Sequence, residues 1–79
     1  MTTKDYFKAL KEGREIVCVS NNETYDSAIF WMGKDNIIYT FSRHLGIINH
    51  SNTPINRILE HFKEMESEGQ VFVRGPKES

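Results

Sequence analysis

Seventy-nine residues make one domain, near the lower limit of what folds without disulfides or a metal. Ten basic against eleven acidic residues leave a net charge of −1, so no global field gathers nucleic acid and any polyanion site has to be local. An apolar content of 38% excludes a disordered chain, and no apolar run approaches the ~18 residues of a membrane-spanning helix.

The stretch from Met1 to Asp5 lacks the apolar core of a signal peptide, and the single Cys18 forbids an intramolecular disulfide. A reducing, cytoplasmic location is the expectation. Cys18 sits in the apolar run Ile16, Val17, Cys18, Val19, the setting of a buried inert thiol rather than a nucleophile.

In chain order, residues 3–12 read as a helix capped by Thr2 or Thr3, with Asp5 in its first turn, Lys8 and Lys11 later, and Gly13 as its stop. Tyr6, Phe7 and Leu10 give it a one-sided apolar face, and a helix this short persists only if docked. The β-branched run 15–20 is a first strand, and 21–23 is turn material. A second strand begins near Tyr25 and continues through 28–32. A tight turn at 33–36 leads into a third strand over 37–41, the clearest hairpin in the chain. The polar connection 43–52 is interrupted by Leu45, Ile47 and Ile48, which either tuck down or form a short extra strand.

The segment 52–69 carries the most consistent helix signals. Thr53 stands at the N-cap, Pro54 at the first helical position and Gly69 at the stop, while Ile55, Ile58, Leu59, Phe62 and Met65 recur at spacings of three and four. A last strand follows over 70–74, then a frayed tail over 75–79. The fold class is α+β, a single domain over 1–74 in the order α-β-β-β-α-β. Its mostly antiparallel four-stranded sheet has strand order 4-1-2-3, with both helices on one face. The last strand is expected beside strand one and parallel to it.

Both faces of the second and third strands are apolar, yet two short helices cover only one. The uncovered face would leave Ile29, Trp31 or Ile38 near solvent, with Val17 or Val19, unless the 43–52 connection folds across it. An exposed tryptophan with aliphatic neighbours is the composition of an interface core, so these residues are candidates for a homodimer or other protein contact. A second candidate surface is the row Glu60, Glu64 and Glu68, like charges at i,i+4 spacing that oppose the helix dipole and would suit a basic partner.

A third candidate is a local anion or nucleotide site. Arg43, His44, His50, Ser51, Asn52, Thr53 and Arg57 lie before and within the first turn of the second helix, where N–H groups and a positive dipole end collect. Ordinary capping by Asn52 and Thr53 explains part of that composition.

The three histidines His44, His50 and His61 match no helical metal pair or Cys/His knuckle, and His61 falls opposite its helix's apolar face. No metal and no cofactor are expected. There is neither a nucleophile elbow nor a phosphate-binding loop, so an enzyme is not expected. The order α-β-β-β-α is also that of double-stranded-RNA-binding domains, but their lysine-rich second helix is replaced here by one that begins Pro54, Ile55, Asn56, Arg57 and soon turns acidic. The reading is a small non-enzymatic module acting by protein–protein contact, of the inhibitor or adaptor type that mobile elements carry, with a small-anion binder as the alternative. Nucleic acid and membranes are not expected partners.

Overall fold

The computed structural model describes residues 1–20 and 27–75. Helix α1 spans Thr3–Lys11, strand β1 Glu15–Ser20, β2 Ala28–Met32, β3 Ile38–Ser42, β4 Gly46–Asn49, helix α2 Ile55–Glu68 and strand β5 Gly69–Arg74. The expected start of the second strand near Tyr25, the 21–23 turn and tail residues 76–79 fall outside the described residues.

Helix α1 begins with a capping box. The Asp5 backbone N–H donates to Thr2 Oγ1 at 3.2 Å, and the Thr2 N–H donates to Asp5 Oδ2 at 2.9 Å, so two orphan donors are satisfied reciprocally. Gly13, at φ 83°, ends the helix in the left-handed region that only glycine enters freely. Tyr6 and Leu10 are buried as their spacing requires. Phe7 slips to the exposed flank and Ala9 takes its place in the core.

The sheet order is β4-β3-β2-β1-β5, and every neighbouring pair is antiparallel. The last strand lies beside β1, as expected, but runs antiparallel to it. The cause is the short strand β4, which adds one more reversal of direction before α2. Residues 43–52 therefore extend the sheet sideways instead of folding across it. Leu45 and Ile47 stay exposed, and Ile48 turns toward the helices.

Both helices cover the face formed by Ile16, Cys18, Phe30 and Ile38. Phe62 is fully buried among them, its ring edge-on to Tyr6 of α1 (centroids 5.2 Å apart) and to Phe30 of β2 (4.9 Å). Such edge-to-face pairs add about 0.5–1.5 kcal/mol each beyond the area they bury. One side chain thus fastens both helices to the sheet.

Helix α2 starts one residue later than its sequence suggests. Pro54 is the N-cap, with extended ψ 139°, and no side chain caps the helix, so Thr53 is left free for another role. At the other end Gly69 is a glycine for a different reason than a left-handed stop. Its φ is −174°, but a Cβ there would lie 2.1 Å from the Val19 carbonyl oxygen, because α2 passes into β5 with no loop and presses against β1.

Two stability outcomes follow. Phe62→Ala, which empties the fully buried ring site, should cost about 3–5 kcal/mol, most of what a domain this size has, and leave no cooperative thermal transition. Gly69→Ala should cost about 1–3 kcal/mol or more, since backbone on both sides must yield; an unchanged melting temperature would show that the α2–β5 junction is looser than this.

Candidate functional sites

The face of the sheet away from the helices carries the first site. Strand register places Phe72, Val17, Ile29, Phe41 and Ile47 directly opposite one another in sequence across β5, β1, β2, β3 and β4. A single apolar row crosses the whole sheet. Its centre is buried, with Val17 only 5% exposed, whereas Phe72, Phe41 and Ile47 are 40%, 44% and 65% exposed. A second row holds Trp31, which pairs with Tyr39 across β2 and β3 and stacks on it, centroids 6.0 Å apart and 14° from parallel. The Tyr39 hydroxyl donates to Asp35 Oδ2 at 2.6 Å, which holds the ring in place. Trp31 also lines a shallow hollow of about 510 Å³ with Gly13, Glu15 and Gly75.

Among the described strands, the only charges on this face are Glu15 and Arg74. They pair at 2.7 Å across β1 and β5. The strand residues of this face are largely apolar with balanced charge, and the Asp35 carboxylate of the β2–β3 turn stands against Tyr39 at its edge.

Ile29 and Trp31 lie on this open face, as the alternation of β2 requires, but Ile38 does not. It is 2% exposed on the helix side, opposite Met32. The turn sets this register: the Gly33 N–H donates to the Ile37 carbonyl, and Asn36 adopts φ 65°, so β3 starts at Ile38 and sends Tyr39 and Phe41 outward. Phe41, Ile47 and Phe72 are the members that sequence reading missed. Their cross-strand neighbours become visible only with β4 in place.

Glu60, Glu64 and Glu68 are exposed on the solvent side of α2 and make no ion pair among the described residues. Glu66 is different. It accepts from Lys63 Nζ at 2.9 Å and from the Tyr6 hydroxyl, and lies 3.5 Å from the terminal ammonium, tying α2 to the start of α1. The Lys63 and Tyr6 hydrogen bonds hold its carboxyl down at about 2.

The anion candidates divide into two groups. Arg43 and His44 occupy the β3–β4 turn, while His50 to Arg57 lie beyond the far end of β4. Four residues of strand, roughly 13 Å, separate them. Arg43 and His44 therefore do not converge on the α2 N-terminus. Ser51 and Asn52 are exposed in the intervening turn, where the Ser51 N–H donates to Asn49 Oδ1 at 2.7 Å.

His50, Thr53 and Arg57 do come together. They rim a cavity of about 310 Å³ between α2 and the outer strands, joined by Thr40 and His61 and backed by Phe30, Ile48 and Ile58. Thr40 is buried, and its hydroxyl lies 2.5 Å from His50 Nε2. The His50 and His61 rings lie 6.2 Å and 6.0 Å from Phe30. Burial, and then the nearness of His61, push the His50 pKa below its ordinary value. His61 is therefore at the margin of the apolar face rather than opposite it. The i,i+4 spacing of Arg57 and His61 was the signal in the sequence that both share one side of α2.

Cys18 is 2% exposed, and burial pushes its thiol up to about 12, so it remains protonated at neutral pH. Among the described residues, no three His, Cys, Asp or Glu side chains stand close enough together to hold a metal ion, and no helix is long and apolar enough to cross a membrane. The chain matches no known protein family, no curated protein and no solved structure.

A pH dependence follows from Glu66. Its folded pKa is depressed from 4.5 to about 2, so its contribution to stability is fully present above about 4.5 and is lost as pH falls through about 2. The wild-type melting temperature should drop over that window. In Glu66→Gln the drop should be smaller; identical acid profiles for the two proteins would remove Glu66 from the tie between the helices.

Proposed function

We propose that this chain is a non-enzymatic binding module that works by protein–protein contact through its open sheet face. The observation that carries the reading is the apolar row from Phe72 to Ile47, exposed at both ends and uncovered by any helix or loop among the described residues. Exposed aromatic and aliphatic groups in one contiguous patch cost solvation in an isolated chain, and contact with another apolar surface removes that cost.

The occupant this face suits is a second copy of the chain. Glu15 and Arg74 neutralise each other, and the Asp35 carboxylate lies at the edge, bonded to Tyr39, so the centre of the face brings no like charges together when two copies meet, while a strongly charged partner gains little there. Two such faces stacked at about 10 Å would form a β-sandwich core. Five strands at about 4.8 Å and five residues at about 3.3 Å make a face of roughly 24 Å by 17 Å, which places the contact at the small, reversible end of protein interfaces. The acidic row on α2 lies on the other side of the molecule and stays free for a basic partner. That arrangement fits an adaptor or a stoichiometric inhibitor. A lone buried thiol suits the reducing cytoplasm as the place of action.

Sedimentation equilibrium from micromolar to millimolar concentration tests this. Wild type should show a reversible monomer–dimer equilibrium. Phe41→Lys, at a half-exposed position and checked for an unchanged dispersed spectrum, should weaken it roughly tenfold or more by placing an unpaired charge in the contact. A wild type that stays monomeric throughout, or a variant that dimerises equally well, would contradict the reading.

A further inference from the structure

The cavity between α2 and β3–β4 lies on the opposite side of the sheet from the contact face and is independent of it. Its geometry points to a binding site for a small organic phosphate, an apolar or planar body bearing one phosphate group.

Three features of the walls carry this. The first is charge. Arg57 is permanently cationic and has no ion-pair partner among the described residues, and no carboxylate lines the cavity. A guanidinium at the mouth of a hollow lined by no carboxylate gives that rim a locally positive character, with the nearest acidic row, from Glu60 on, exposed on α2 outside the lining. The second is donor geometry. Two imidazoles and the Thr53 hydroxyl share the rim with Arg57, a set that can surround a tetrahedral oxyanion from several directions. The depressed pKa of His50 accords with a desolvated imidazole facing another basic ring. The third is the back wall. Phe30, Ile48 and Ile58 make it apolar, which inorganic phosphate cannot exploit but an organic body can. A volume of about 310 Å³ falls at the lower end of small-ligand sites, which are mostly apolar with a few convergent polar groups.

The polar residues come from different elements: Thr40 from β3, His50 from the end of β4, Thr53 from the turn, and Arg57 and His61 from successive turns of α2. Packing of α2 through Ile58 and Phe62 holds its two contributors in place. The Thr40 hydroxyl fixes the His50 ring from below. The site thus joins two residues of the β4–α2 connection, His50 and Thr53, to side chains held by the folded core.

Amide and imidazole NMR titration of the full chain with phenyl phosphate, inorganic phosphate and phenol tests the proposal. Phenyl phosphate at millimolar concentration should give saturable shifts centred on His50, Thr53, Arg57 and His61, with weaker shifts from inorganic phosphate and none from phenol. Arg57→Ala, at an exposed position outside the core, should keep the dispersed spectrum and lose at least tenfold in affinity for phenyl phosphate. His61→Gln, which removes the basic ring and keeps a donor, should lose less. Absence of saturable shifts with phenyl phosphate in the wild type would overturn the site, as would shifts of equal size with phenol or affinity undiminished in Arg57→Ala.

Discussion

Phe62 is the point on which the structure depends. Its ring meets Tyr6 of α1 and Phe30 of β2 edge-on, so a single residue joins the two helices to each other and to the sheet. In a domain that buries only about 60–65% of its unfolded surface, the described residues form one core cluster and Phe62 lies within it. Concentrating the aromatic groups on one face has a cost. Among the described residues there are two helices, both used on that side, and none lies over the opposite face of the five-stranded sheet.

Both proposed sites arise from that asymmetry. The open face is apolar because the central strands β1 and β2 are apolar on both sides, Val17 and Ile29 standing behind Ile16 and Phe30. A strand with one polar face would have shielded itself in water. The cavity arises at the other margin, where α2 overhangs β3 and β4 without filling the space beneath it. Thr40 and His50 occupy that gap where aliphatic residues would have closed the core, and Arg57 and His61 stand over it.

Much of the architecture was legible in the sequence because its signals were local. The boundaries of β1, the cap and stop of α1 and, to within a residue, the extent of α2 follow from periodicity, capping and turn residues that act within a few positions, whereas the last strand reached its place beside β1 by a connection argument that assumed the wrong direction. What was not legible depended on distant pairing or on adjacent apolar residues with no alternation. Ile37 and Ile38 are indistinguishable by pattern, and only the turn bonded through Gly33 and Asn36 decides which one faces the helices. Ile47 and Ile48 pose the same ambiguity, so β4 was one of two alternatives, and with it hung the direction of β5. For the sites, Ile29 and Trp31 could be placed from alternation alone. Phe41, Ile47 and Phe72 join them only through register, and Arg43 and His44 leave the helix N-terminus because a strand intervenes.

The most direct test of the open face as a contact surface is an isotope-filtered NMR experiment on an equimolar mixture of labelled and unlabelled chain at millimolar concentration. Proximity cross-peaks between copies, arising from the side chains of Phe41, Ile47, Ile29 and Phe72, are the expected result. Cross-peaks confined to the outer face of α2, or none at all in a sample whose spectrum is well dispersed, would contradict it.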